Sequence, residues 1–115
     1  MSLRAGELRR RITLQSRATT RDAEGGQSTT WSDVATVWAS IEPSAGKELV
    51  AALAFNLDQP STITIRWRSE LANPKAVAAM RAQYNGRIFD IHSAMIQGER
   101  DRVVVLIASE GLNNG

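Results

Sequence analysis

A chain of 115 residues, 43% hydrophobic and 23% charged with a formal charge of +2, has room for one compact domain and the composition of a folded protein rather than a disordered one. It contains no cysteine, which excludes disulfide staples and thiolate metal sites. No apolar run approaches the roughly 18 residues that a membrane-spanning helix needs. The early arginines are not followed by an apolar stretch, so no signal peptide is read and synthesis in the cytoplasm is expected.

Charge is unevenly spread along the chain. Residues 1–21 carry Arg4, Arg9, Arg10, Arg11, Arg17 and Arg21 against Glu7, whereas residues 22–60 carry Asp22, Glu24, Asp33, Glu42, Glu48 and Asp58 against Lys47. Two such blocks can attract each other within a monomer, pair between copies, or stay as solvated faces.

Residues 1–7 read as an N-terminal arm. Leu8, Arg10, Ile12 and Leu14 then share one face of a basic strand, and the alternation of Ile12 to Gln15 predicts one wet side. Arg21 to Ser28 is polar and rich in turn residues, which predicts an exposed loop within a long connection over 17–28. Thr29 to Glu42 is β-branched and aromatic, as suits a long strand. Val37, Ala39 and Ile41 face one way, Val34, Thr36 and Trp38 the other, and both faces are expected to meet apolar matter.

Pro43 to Gly46 ends that strand and opens a central segment, 43–60, read as a long loop or a short helix at about 46–57. Lys47 to Leu57 contains strong helix formers, with Leu49, Leu53 and Leu57 four apart and Ala51, Ala52 and Phe55 on the other side. A domain this small cannot bury such a segment all round. Either the segment is conformationally soft or a neighbouring copy covers it. Its candidate interface residues are Lys47, Glu48, Leu49, Leu53, Phe55 and Leu57.

Ser61 to Arg68 alternates cleanly, with Ile63, Ile65 and Trp67 inward and Thr62, Thr64, Arg66 and Arg68 outward. Asn73-Pro74 signals a helix start, yet Tyr84-Asn85-Gly86-Arg87 signals a hairpin that needs strands on both sides. Helix and strand therefore both stay open for residues 74–84. The reading adopted is at most one helical turn near Pro74 and a strand from about Met80 to Tyr84. Strands follow over Arg87 to Ile96 and Arg102 to Ser109, the second apolar on both faces, with a turn at 97–101 and a frayed end at 112–115.

Six strands with mostly short connections predict an all-β fold, a small six-stranded antiparallel barrel or sandwich, as a single domain over residues 1–115. Its expected core is Ile12, Leu14, Val37, Ile41, Ile63, Ile65, Trp67, Val104 and Leu106.

Catalytic signals are missing from the sequence. His92 is the sole histidine, and Ser93 beside it has no nucleophile elbow around it. Asp22-Ala23-Glu24-Gly25-Gly26 lacks the further acidic ligands of a calcium loop and is read as a tight turn. There is no glycine-rich phosphate cradle. No catalytic residue, cofactor or metal is expected, and the chain is not read as an enzyme. Nucleic acid is the competing partner, because Arg9 to Arg11 form a basic run and Arg66-Trp67-Arg68 sets cations beside an aromatic. Against it, Trp67 shares its face with Ile63 and Ile65, and no exposed aromatic series is seen.

Taken in order, Gly6 to Gln15, Asp22 to Gly26, Trp31, Trp38 to Pro43, Gly46 to Glu48, Thr64 to Arg68, Tyr84 to Ile91 and Arg102 to Leu106 resemble the head–tail joining proteins (head-completion or stopper proteins, head–tail adaptors) of long-tailed bacteriophages. Each piece is a common strand fragment, and the order and spacing carry the likeness. The resemblance implies a small β-barrel whose copies form a ring at the portal vertex, completing the DNA-filled head, helping to retain DNA and docking the tail. It implies as partners further copies of itself, the portal or adaptor ring, tail proteins and non-specifically the packaged DNA, with no membrane. The implied location is the head–tail interface of a virion assembled in the bacterial host cytoplasm, encoded by a phage or a prophage. The family's central loop, which can project into the ring lumen as a gate, corresponds to Pro43–Pro60, here apolar rather than polar. A basic interface of Arg4, Arg9, Arg10, Arg11 and Arg17 would meet the acidic middle block of an adjacent copy or a neighbouring ring. The alternative is a small OB-like barrel that binds single-stranded nucleic acid.

Overall fold

Alternating residues close the sheet on itself. In the computed structural model, which describes residues 8–57, 59–100 and 102–111, the strands are β1 (Arg10–Arg21), β2 (Gln27–Pro43), β3 (Ser61–Arg66), β4 (Arg81–Tyr84), β5 (Arg87–Gln97) and β6 (Val103–Gly111). All pair antiparallel in the order β1-β2-β3-β6-β5-β4, and β4 returns to β1 by setting Arg81 to Gln83 against Thr13 to Gln15. Of the two expected architectures, the barrel is the one formed. The arm with Arg4, and the end at 112–115, lie outside the described residues.

Inward positions from every strand make the core: Ile12 and Leu14, Val37 and Ala39, Ile63 and Ile65, Ala82, Phe89 and Ile91, and Val104, Leu106 and Ala108. Ile41 and Trp67, also expected there, are only partly buried and pack against its margin. Leu71, Val77 and Met80 join the core from the segment between β3 and β4. That segment holds a 3-10 turn (Ser69–Leu71) and a single helical turn, α2 (Pro74–Ala78), which settles the helix-or-strand question at residues 74–84. Asn73 caps α2 by accepting the Lys75 N–H at 3.1 Å, and the Met80 N–H donates back to Val77 at 3.0 Å while its carbonyl already accepts the Ile91 N–H at 3.4 Å, so β4 runs from Arg81.

Asn85 and Gly86 have φ of +50° and +80°, so the β4–β5 connection is the tight hairpin that Asn-Gly predicts. β6 is buried on both faces from Val103 to Ala108. β3 ends at Arg66, short of the expected Arg68, with one further bond in the same register from the Trp67 N–H to the Arg102 carbonyl at 3.0 Å.

Two expectations are corrected. The connection at 17–28 is mostly strand: β1 runs to Arg21 and β2 starts at Gln27, with Arg17 opposite Trp31 and Thr19 opposite Thr29. This outer hairpin is wet on both faces, so no hydrophobic alternation could mark it. Threonine-rich pairing and the 2.9 Å contact between the Thr20 and Ser28 hydroxyls form the ribbon instead. At its tip the Asp22 carboxylate accepts the N–H groups of Glu24 (3.0 Å) and Gly26 (2.7 Å), and Gly25 takes φ of +86°. Second, of the outward face of β2 Val34 packs against the core, but Trp38 is left half uncovered beside Leu8 and Trp67. It stays 49% exposed, with the Arg11 guanidinium over its ring.

Candidate functional site

The strand–strand link at 43–60 leaves the barrel and returns to the same place. Its ends are tied by the Ser44 N–H donating to the Pro60 carbonyl at 2.9 Å and by a 2.9 Å hydroxyl contact between Ser44 and Thr62. Between them lies α1 (Gly46–Leu53), shorter than the expected 46–57 because the chain turns at residues 54–56, with Asn56 at φ of +54°. Lys47, Glu48 and Ala51 form a shallow groove with Ser93, Met95 and Gln97 of β5 and Val105 and Ile107 of β6. Val105 and Ile107 point away from the barrel core and are nevertheless buried, since α1 covers them.

Only Ala52 of α1 is fully buried. Val50 and Leu53 are 69% and 63% exposed, and Leu49, Phe55 and the neighbouring Met95 are exposed with them. Leu49, Val50 and Leu53 share the outward side of α1 and Phe55 follows in the turn after it, an apolar ridge with Met95 exposed across the groove, and such a concentration is less ordinary than isolated surface leucines. Of the residues expected at an interface, Lys47, Leu49, Leu53 and Phe55 are exposed, and Glu48 and Leu57 are half-buried. Val50 and Met95 were missed. Val50 lay within the apolar run, but a strand pattern gave Met95 no signal.

The basic candidates do not gather on one face. Arg10 reaches toward β4, donating to the Tyr84 hydroxyl at 3.2 Å, while Arg11 points the other way over Trp38, 5.2 Å from its centroid. Arg9 is exposed and lines a hollow with Arg10, Ser40, Ile41 and Glu42, and Arg17 is exposed on the outer hairpin. Arg81 lies over Trp31 and Arg102 over Trp67, each 4.2 Å from the ring centroid. All three tryptophans therefore already carry a guanidinium on one face. Such occupied rings make poor platforms for stacking a row of bases.

A cleft of about 650 Å³ opens where the β2–β3 ladder ends at the Ala39–Ile65 pair, lined by Leu8, Thr36, Val37, Trp38, Arg66, Trp67 and Arg68. Arg68 is held by Glu70 at 2.7 Å, and this bond keeps the Glu70 carboxyl below its usual pKa. The second ion pair, Arg87 with Glu110 at 2.7 Å, likewise lowers Glu110 and raises Arg87. Neither pair joins the basic and acidic blocks of the sequence.

His92 sits at a bulge between Ile91 and Ser93, half-buried, with Nε2 2.8 Å from the Ser109 hydroxyl and the Phe55 ring 6.1 Å away. It is a satisfied strand residue. Among the described residues there is no group of three or more His, Asp or Glu side chains placed to hold a metal ion, and no helix is long and apolar enough to cross a membrane.

Residues 3–111 match the phage head completion protein family. The chain belongs to that family. It is thus a structural component of the head–tail region of a phage-type virion, not a member of an enzyme family. Its fold is similar to the solution structure of protein SF1141 from Shigella flexneri 2a, with 29% identity and a TM-score of 0.71 over 97% of this chain and 100% of that one. It is also similar to a chain in the virion of a native gene transfer agent particle, with 20% identity and a TM-score of 0.60 over 92% of this chain and 97% of that one. At that identity the second likeness speaks for the fold alone. No curated protein matches the sequence.

Proposed function

We propose that this head completion protein assembles as a closed homo-oligomeric ring at the portal vertex, between the portal or adaptor ring and the tail, where it helps to retain packaged DNA and offers the tail a docking surface. The observation that carries the reading is the exposed ridge of Leu49, Val50, Leu53, Phe55 and Met95. Burying one such side chain is worth about 1.5–3 kcal/mol. A closed ring repeats that gain at every subunit contact, against the cost of fixing side chains there. Contact with DNA in this reading is electrostatic and non-specific, through the dispersed arginines.

Light scattering and electron microscopy of the purified protein, alone and with single-stranded DNA, test it. The expected result is a ring that forms without DNA. A protein that stays monomeric at all concentrations and binds single strands tightly would return the nucleic-acid reading.

A further inference from the structure

The protein carries two unlike apolar features, and they lie on separate parts of the barrel. The ridge of α1 stands over β5 and β6, with Met95 of β5 at its edge. The cleft of Leu8, Val37, Trp38 and Trp67 lies beside β2 and the end of β3. In the ring order β1-β2-β3-β6-β5-β4 the ridge lies against β6 and β5 and the cleft against β2 and the end of β3, so they occupy separate arcs of the wall. A projection and a recess on separate arcs of one barrel do not fill each other within one molecule. Between copies they form a head-to-tail contact, and contacts of that type generate closed rings when the rotation closes.

We propose that the α1 ridge of one copy docks into the Trp38–Trp67 cleft of the next. This deepens the ring reading above and rests on it. The occupant is a second copy of this chain, for three reasons. The recess, about 650 Å³, has room for a few side chains of the size that the ridge offers. Its rim is basic, with Arg11 over Trp38 and with Arg66 having no ion-pair partner among the described residues, while the first turn of α1 carries Glu48, half-buried at the edge of its groove and still partly open to solvent. Finally, Trp67 Nε1 is buried and has no hydrogen-bond acceptor among the described residues. An arriving carboxylate or carbonyl supplies the acceptor it lacks. Trp and Arg are also the residues that most often anchor interfaces. In this arrangement α1 lies between subunits and does not hang in the lumen as a gate.

The absence of native cysteine allows a direct test. Leu53→Cys and Thr36→Cys, both at exposed positions on ridge and cleft rim, are prepared as separate proteins and oxidised alone and mixed. Head-to-tail docking gives a crosslinked dimer in the mixture at several times the yield of either protein alone. Leu53→Cys crosslinking to itself as readily as to Thr36→Cys, or a mixture with no crosslink, overturns the proposal. Rings of the unaltered protein seen by electron microscopy alongside such a negative result would leave the ring reading standing and remove this contact. As a second measurement, Glu48→Arg and Arg66→Glu should each weaken self-association about tenfold or more, and the double variant should recover most of it. Failure of the double variant to recover, with both singles folded and weakened, counts against the pairing.

Discussion

Arg11 and Trp38 stand directly opposite each other on β1 and β2, with the guanidinium carbon 5.2 Å from the indole centroid. The pair explains how an outward-facing tryptophan is kept in place without an apolar layer above it. An exposed cation–π contact is worth about 0.5–1 kcal/mol, and the arginine stem adds cover. Arg11→Ala should lower stability by about that amount in denaturant unfolding, with Arg11→Lys recovering part. No loss in either variant would show that Trp38 is held by its strand alone.

Ile65 is fully buried between β2 and β6, opposite Ala39 and Val104. Ile65→Ala should cost about 2–5 kcal/mol, the range for removing buried aliphatic volume. A loss below half a kilocalorie in equilibrium unfolding would place this side chain outside the core.

Glu110 and Glu70 have carboxyls lowered by hydrogen bonds from Arg87 and Arg68. A depressed folded value means that each pair contributes stability above the unfolded carboxyl pKa, near 4.5, and loses it as pH falls through the folded value. The melting temperature should therefore drop as pH falls below about 4.5, and less steeply for Glu110→Gln than for the unaltered chain. Both pairs are exposed, so the difference should be small and should shrink in high salt. Parallel pH profiles would leave Glu110 without a part in it.

His92 already has its partners, the Ser109 hydroxyl at 2.8 Å and the ring of Phe55. His92→Asn should cost about 1 kcal/mol at most, the net worth of one hydrogen bond, and should leave assembly intact. A folded variant that no longer joins heads to tails would reveal a working residue.

Amides of α1 should exchange quickly in the monomer, since Ala52 is its only fully buried residue, and should gain protection on assembly. Hydrogen exchange on monomer and ring samples measures this directly. Strong protection of 49–57 in the monomer, unchanged by assembly, would make α1 an ordinary packed helix.

The barrel was legible because period-two alternation is a local property. Ile63 and Ile65, or Val104 and Leu106, show their inward face within a few residues. Asn85-Gly86 fixed its hairpin in the same way, through backbone angles that few other residues adopt. The outer half of the β1–β2 hairpin could not be read, because a ribbon wet on both faces has no apolar rhythm.

The surface divides along similar lines. That residues 47–57 hold more apolar side chains than a small domain can bury follows from composition and helical spacing alone. Which of them stay outside depends on the strands that α1 lies against, a matter of packing between distant segments: Ala52 is buried, and Val50 and Leu53 are exposed. Tertiary structure alone also brought Leu8, Trp38 and Trp67 to one cleft and set it apart from the ridge. No local pattern encodes such a placement, because it depends on the order in which distant strands pair.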